Sequence, residues 1–483
     1  MRHASDDTAG FRGMRSGIRP PAMLAARLVG MTGAAVLLLA MPAGAAAHQL
    51  SSTYNSRLPL VAYLAAAAVA VALSFIFVLA RDLRAGAPAD DGRRVTVPGW
   101  LRSLLRTMGL LAWIWIVVQG VLGGSSDAEV AHLFLWVYGW VGVALVSALL
   151  GPAWTWLDPF ATIHDIGAWL LARAGIRGIA AVDYPARLGR WPAAIGFAGF
   201  IWLELVMGGG DGPTLFLVLL GYTAFTLAMM AQFGRDEWRA NGETFSAWFG
   251  LLGRMAPFAL NEEDGDARRL RRRDIGAGLL EPGWQPADAV LIALGIGSIL
   301  FDGLSQTQLW FDTFGPPTTL TQTGLLAGFL LLILGAAMLA IRAVGIASAG
   351  AALLPIAVGY LVAHYLTFLL VDGQRIVVAL ADPFQQGWSL LPTAFYEPNG
   401  DFLSAGLVWT IQLAAVVGGH MLGAWGGHVV AAREAGAARA VARGAAATRT
   451  RDPRLREIPL AIVMVGLTTL TLWSLGQAIV QPM

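Results

Sequence analysis

The chain has 483 residues, 56% of them hydrophobic and only 13% charged, with a formal net charge of +2. Soluble domains carry about a quarter charged residues, so a soluble fold is excluded, and so small a net charge gives no basis for nucleic-acid binding. The absence of cysteine excludes disulfides, thiolate metal sites, iron–sulfur clusters and a cysteine nucleophile.

Residues 1–47 read as a cleavable leader. Arg2, Arg12, Arg15, Arg19 and Arg27 form a basic region, Gly33 to Met41 a short apolar core, and Ala45-Ala46-Ala47 a small-residue cleavage site. Cleavage there makes His48 the new N-terminus; the alternative is an uncleaved first helix.

The remainder, 48–483, reads as one integral-membrane domain. Its apolar runs are each about 20 residues long, the length needed to cross a bilayer as a helix. The expected fold is therefore an all-α polytopic bundle of about ten transmembrane helices. The expected spans are 58–80, 103–123, 131–150, 193–209, 213–231, 287–303, 321–342, 349–371, 404–430 and 457–479.

Arginine supplies every basic residue, and its distribution orients the bundle. With residue 48 outside, the inner loops and helix ends collect nearly all of it, including the run Arg268 to Arg273 and the group Arg433 to Arg456. Only Arg57 and Arg375 remain outside. The expected location is a bacterial inner membrane with the mature N-terminus outside.

Three loops are long enough to carry structure. Trp154 to Trp191 contains Asp158-Pro159-Phe160 and an expected interfacial helix around Ile163 to Ala172. Asn241 to Phe258 reads as an amphipathic surface helix, with Phe245, Trp248, Phe249 and Leu252 on one side. Asp372 to Leu403 contains a second Asp-Pro-Phe, Asp382 to Phe384. Both triplets read as turn signals. The Ala/Arg-rich segment 431–456 reads as a flexible inner loop, and the 18 tryptophans as interfacial belts.

Ionisable groups at membrane depth are costly and therefore candidates for function. His364 lies within the apolar run Pro355 to Gln374, next to Tyr365. It is seven residues below the outer end of its helix, about 10 Å deep at 1.5 Å per residue. Glu204 and Asp302 sit near the outer ends of two other helices. His132 begins a third, and His48 would lie on the same side. Five groups thus share one layer. Imidazoles and carboxylates together suit a divalent metal such as zinc, iron or copper. In that reading His48, His132 and His364 are metal ligands. Glu204 is the first choice for general base, and Asp302 is a second base or a further ligand. Each residue also has a structural reading: His132 as an interfacial residue, Asp302 as a turn residue, and His364 as a stitch between helices. His420, His428 and the pair His164–Asp165 fall outside the main set. His420 is mid-membrane among glycines that suggest close packing, and His428 is near the inner end.

Several stretches carry a resemblance. They are AHQL at 47–50, DYPARLGRWPAAIGF at 183–197, WLELV at 202–206 and FGRDEWRANGETFSAWFGLLGRMAP at 233–257. FDGLS at 301–305, PIAVGYLVAHYLTFLLVDGQ at 355–374, ADPFQQGW at 381–388 and GGHMLGAWGGH at 418–428 complete the set. Together they span most of the mature chain, which resembles the multi-pass bacterial membrane proteins known as fenitrothion hydrolases. The stretch LSSTYNSRLPL after the leader departs from the commoner pattern. The resemblance implies hydrolysis of an apolar phosphorothioate triester insecticide with release of a nitrophenol. It also implies work in the bilayer beside a second membrane subunit. Two other readings fit the same residues: a transporter or metal-handling permease, and a subunit that supports a catalytic partner.

Overall fold

The computed structural model describes residues 54–56, 58–80, 90–124, 128–176, 181–260, 269–442 and 457–482. The leader and His48 lie outside these residues. The chain is an all-α polytopic helix bundle, and its order follows the hydropathy pattern. The membrane helices are α1 (Leu60–Ala80), α2 (Gly99–Leu122) and α3 (Val130–Leu149), then, past the amphipathic α4 (Pro159–Arg173), α5 (Trp191–Leu205) and α6 (Gly212–Phe233). Two short helices follow, α7 (Arg235–Asn241) and α8 (Thr244–Leu252). The second half holds α9 (Pro286–Ser305), the short α10 (Gln308–Phe314), α11 (Thr319–Val344), α12 (Ile346–Asp372), α13 (Ala405–Ala442) and α14 (Ile458–Ile479).

Every expected span is a helix. Eight helices among the described residues are long and apolar enough to cross a membrane, whereas the apolar stretches Leu60–Ile76 and Trp191–Leu205 are shorter. α13 runs on to Ala442, so the first part of the expected flexible loop is helix; 443–456 lies outside the described residues.

Helices α12 and α13 make the most extensive contact in the bundle, and the reason is small residues. A Cβ on Gly359 would lie 2.5 Å from the Ala415 carbonyl oxygen. One on Gly419 would lie 2.6 Å from that of Pro355, and one on Gly423 2.2 Å from that of Ala352. Without side chains there, two backbones touch. In lipid, where no hydrophobic drive separates helix from solvent, such close packing supplies much of the association energy. Pro355 sits inside α12 without ending it.

The sequence reading of residues 241–258 needs correction. Helix α8 is not on the surface: Trp248, Phe249 and Leu252 are buried in the bundle. Trp248 stacks on Phe197 with ring centroids 4.8 Å apart and on Trp140 at 6.0 Å. Gly295 makes room for it, since a Cβ there would lie 2.4 Å from the indole ring. An apolar stripe on a short helix reads the same whether it faces lipid or protein, and only the fold tells them apart. The tryptophans likewise are not all belt residues, because Trp140, Trp248 and Trp473 are fully buried.

Glu243 caps α8. Its carboxylate accepts the backbone N–H groups of Phe245 (3.1 Å) and Ser246 (2.6 Å) and the Tyr222 hydroxyl (2.5 Å). These bonds satisfy helix-end donors that no water can reach. Nearby, Asp158 caps α4 through the Ala161 N–H (3.1 Å) and accepts from Arg239 Nε (2.8 Å). The first Asp-Pro-Phe is therefore a helix start. Asp382 of the second folds its loop by accepting the N–H groups of Gln386 and Gly387.

On the arginine-rich side, β2 (Asp90–Thr96), β3 (Phe258–Leu260) and β4 (Arg269–Arg273) form an antiparallel sheet in the order β2-β4-β3, with Arg94 opposite Arg271 and Ala259 opposite the other edge of Arg271. Arg271 and Arg273 both bond Glu281, at 2.7 and 2.8 Å. A two-strand parallel pairing joins β1 (Tyr54–Ser56) to β5 (Val480–Pro482).

Two predictions follow from this packing. Gly419→Leu forces α12 and α13 apart and costs about 1–3 kcal/mol, read as a lower thermal midpoint in detergent. Gly418→Leu, where a Cβ meets nothing within 4 Å, leaves the midpoint unchanged. The second concerns Asp158. Burial pushes its carboxyl up to about 6, against the pull of the Arg239 guanidinium, with Glu243 adding to the rise. The folded state therefore binds more protons than the unfolded state between the ordinary aspartate range and about pH 6. Stability falls as pH rises through that window. Asp158→Asn should flatten this part of the pH–midpoint curve, and an unchanged slope would disprove the assignment.

Candidate functional site

Three of the five residues singled out in the sequence meet. His364 Nε2 donates to Asp302 Oδ2 at 2.8 Å. Tyr365, next along α12, reaches two carboxylates: its hydroxyl lies 3.2 Å from Glu204 Oε1 and 3.3 Å from Asp302 Oδ2. Gln306, one turn beyond Asp302 on α9, donates to Oδ1 at 2.6 Å. An imidazole, a phenol and two carboxylates from α12, α9 and α5 thus form one hydrogen-bonded cluster.

Each helix presents its residue for a local reason. α12 is buried on nearly all sides, so its polar residues must find partners within the protein. α9 is also mostly buried, and Asp302 stands three residues before its last. α5 ends one residue after Glu204, where the chain turns through Gly208, Gly209 and Gly210, all with positive φ. Trp136 of α3 holds that turn by donating to the Gly209 carbonyl at 3.1 Å.

The cluster is unfinished. Glu204 Oε2 is buried and has no hydrogen-bond partner, and neither does the buried indole N–H of Trp140. Trp140 packs edge-on against Tyr365, with ring centroids 6.3 Å apart. The indole acts as a donor toward the Glu204 carboxyl and the Tyr365 hydroxyl, short of an ordinary hydrogen-bond geometry. The phenol has a single proton and faces two carboxylate oxygens, so it can serve only one at a time. A second proton on either carboxylate would complete the set.

Trp140 also lines a cavity of about 1110 Å³, walled by α2, α3, α5, α6, α8 and α12. In α3 the segment Leu133–Val143 is a π-helix. Such wide turns recur at functional sites, and this one carries Trp136, Tyr138 and Trp140 into the wall.

His132 is not part of the cluster. It is exposed at the start of α3, and its charged neighbours are Asp372 and Arg375. Among the described residues, no three His, Asp or Glu side chains gather into a set able to hold a metal ion. His364 directs Nε2 to Asp302, and the proposed ligand His48 lies outside the described residues. No chemistry is routed through a metal below.

The other histidines have structural partners. His428 is no mere interfacial residue, because its Nδ1 lies 3.0 Å from Glu457 Oε1 and joins α13 to the start of α14. His420 Nδ1 lies 2.8 Å from the Val416 carbonyl of its own helix, and Nε2 lies 3.5 Å from the Tyr360 hydroxyl. His164 stands beside Asp165 in an arginine cluster. Burial works to raise the Asp165 carboxyl, but bonds from Arg106 and Arg235 prevail and hold it below the ordinary range.

Two members of the site escaped the sequence reading of roles. Tyr365 was legible as a phenol in an apolar run, which needs a partner, but a tyrosine is less conspicuous than the histidine before it. Trp140 gave no signal, since nothing in the sequence sets it apart from the other tryptophans. Comparisons with family models, curated proteins and solved structures give no match to this chain.

Proposed function

We propose that the chain is an integral-membrane hydrolase of organophosphorus triesters, acting near the outer ends of its helices in a bacterial inner membrane. The observation that carries this reading is the unpartnered Glu204 Oε2 inside a cluster that can pass protons. A general base needs a free acceptor within reach of water, held by neighbours that tolerate the added proton.

In this mechanism a water donates to Glu204 Oε2. As its oxygen bonds to phosphorus, its proton passes to that carboxylate and the bond from phosphorus to the aryl oxygen breaks. The aryl oxide leaves with the electron pair. The Trp140 N–H donates to the phosphoryl oxygen or sulfur as charge grows there. Tyr365 links Glu204 to Asp302, and Asp302 orients His364. The proton gained by Glu204 can therefore move along the chain to His364 and out to the leaving group. An apolar triester dissolves in the bilayer and reaches such a site from the side. The family resemblance supplies the substrate class.

Replacing members of the cluster tests this. In purified chain with a nitrophenyl phosphorothioate triester, Glu204→Gln and His364→Gln should lower kcat by about 10²–10⁴-fold, the usual worth of a positioned acid or base. His420→Gln, outside the cluster, should leave it within a factor of a few. Activity in all three at the wild-type level would overturn the reading. Hydrolysis by this chain alone excludes an obligate catalytic partner. Metal analysis and chelator treatment of the same preparation test the metal set: loss of activity on chelation, restored by zinc, iron or copper, would bring His48 and a bound ion back into the mechanism.

A second reading has its own support. A line of four proton-carrying groups, Glu204, Tyr365, Asp302 and His364, also suits proton-coupled transport. Solute uptake by proteoliposomes without product formation favours it.

The arginine asymmetry supports a cytoplasmic position for the β2–β4–β3 sheet. The absence of cysteine makes this simple to check. A membrane-impermeant maleimide added to spheroplasts should label Asn399→Cys and spare Asp274→Cys until the membrane is opened.

A further inference from the structure

We infer that the cavity beside Trp140 is a binding site for a long-chain acyl lipid drawn from the bilayer. Its size is the first ground. Pockets for drug-sized ligands run to about 1,000 Å³, and this one reaches about 1110 Å³. Its shape is the second. The wall follows α3 from Trp136 to Leu149, about 20 Å at the helical rise per residue. That is the length of an extended acyl chain and more than an aryl triester needs.

Its chemistry is the third ground. The wall is almost wholly apolar. The indole N–H groups of Trp113, Trp136, Trp154 and Trp202 all have acceptors. The hydroxyls of Tyr138 and Tyr222 donate to the Gly373 carbonyl and to Glu243. The Trp140 indole N–H is buried away from the cavity, since the residue is only 1% exposed, so these wall groups offer the ligand no polar partner. The ligand is therefore a long hydrocarbon chain, as in a fatty acid or an ester-linked lipid. α2, the outermost wall, has little of its surface buried within the protein, so the cavity borders on the bilayer.

The inference does not need the hydrolase reading. Gly199 provides the test: it lines the cavity, and a Cβ there meets nothing within 4 Å. Gly199→Leu fills the space without a clash. The probe is a diazirine-bearing palmitic acid, added to membranes holding the full chain and activated by light. Labelling of the wild type should be saturable and should fall on peptides carrying the 134–146 and 199–203 walls. It should drop about tenfold in Gly199→Leu, equivalent to about 1.4 kcal/mol. Gly142→Val, whose Cβ meets Leu369 at an ordinary 3.6 Å, is a second filling variant should the first fold poorly. Competition by palmitate or by a dioleoyl phospholipid tells a free acid from a membrane lipid, and either supports a long-chain ligand. Labelling that cannot be saturated, spreads over the outward faces of α1 and α11, or is equal in a folded filling variant overturns the inference. His364→Gln separates the two readings, because it should lose hydrolysis and keep labelling. Hydrolysis without labelling sinks only the lipid site.

Discussion

The close approach of α12 and α13 is the constraint on which the site depends. Gly359 and Gly419 let the two backbones meet, and that contact fixes how α12 is rotated about its axis. His364 is five residues beyond Gly359, which at 3.6 residues per turn places it about 140° around the helix, away from α13. The face left over is the one that turns His364 toward Asp302 and Tyr365 toward Glu204 and Asp302. A bulky residue in the seam would turn or shift the helix, and the cluster would come apart without any of its own members changing.

A second constraint acts at the other end of the bundle. Helix α8 enters the protein interior and stops there, so its free N–H groups must be met inside. Glu243 and Tyr222 accept them, Trp154 donates to Glu243, and Asp158 with Arg239 stands beside them. The buried end of α8 then offers Trp248 to Trp140 as a stacking partner. The indole at the cluster is thus held by a helix whose sequence reads as a surface segment. Among the buried side-chain atoms that lack a partner, Glu204 Oε2 belongs to the hydrogen-bonded cluster. Such local exceptions to complete pairing are where chemistry is expected.

The helices were legible because the hydrocarbon core allows so few solutions. A run of about 20 apolar residues can only be a helix there. Three site residues were legible for the same reason: a carboxylate or an imidazole in such a run is costly, so Glu204, Asp302 and His364 stood out against it. His132, at a helix start, also read as an interfacial residue, and it is not in the cluster. Depth along a helix can be counted from sequence, but the direction in which a side chain points cannot. Trp140, in contrast, looked like any belt tryptophan until its neighbours were known.

By itself the sequence determined the membrane class, the helix positions and the layer in which the ionisable groups lie. All of these follow from local hydropathy and from the arginine count of each loop. Only the tertiary structure decided which groups in that layer touch, that α8 is buried, and that a long apolar cavity runs along α3 past Trp140. Those depend on the rotation of each helix and on which neighbour it packs against, and both are set by contacts between residues far apart in the chain.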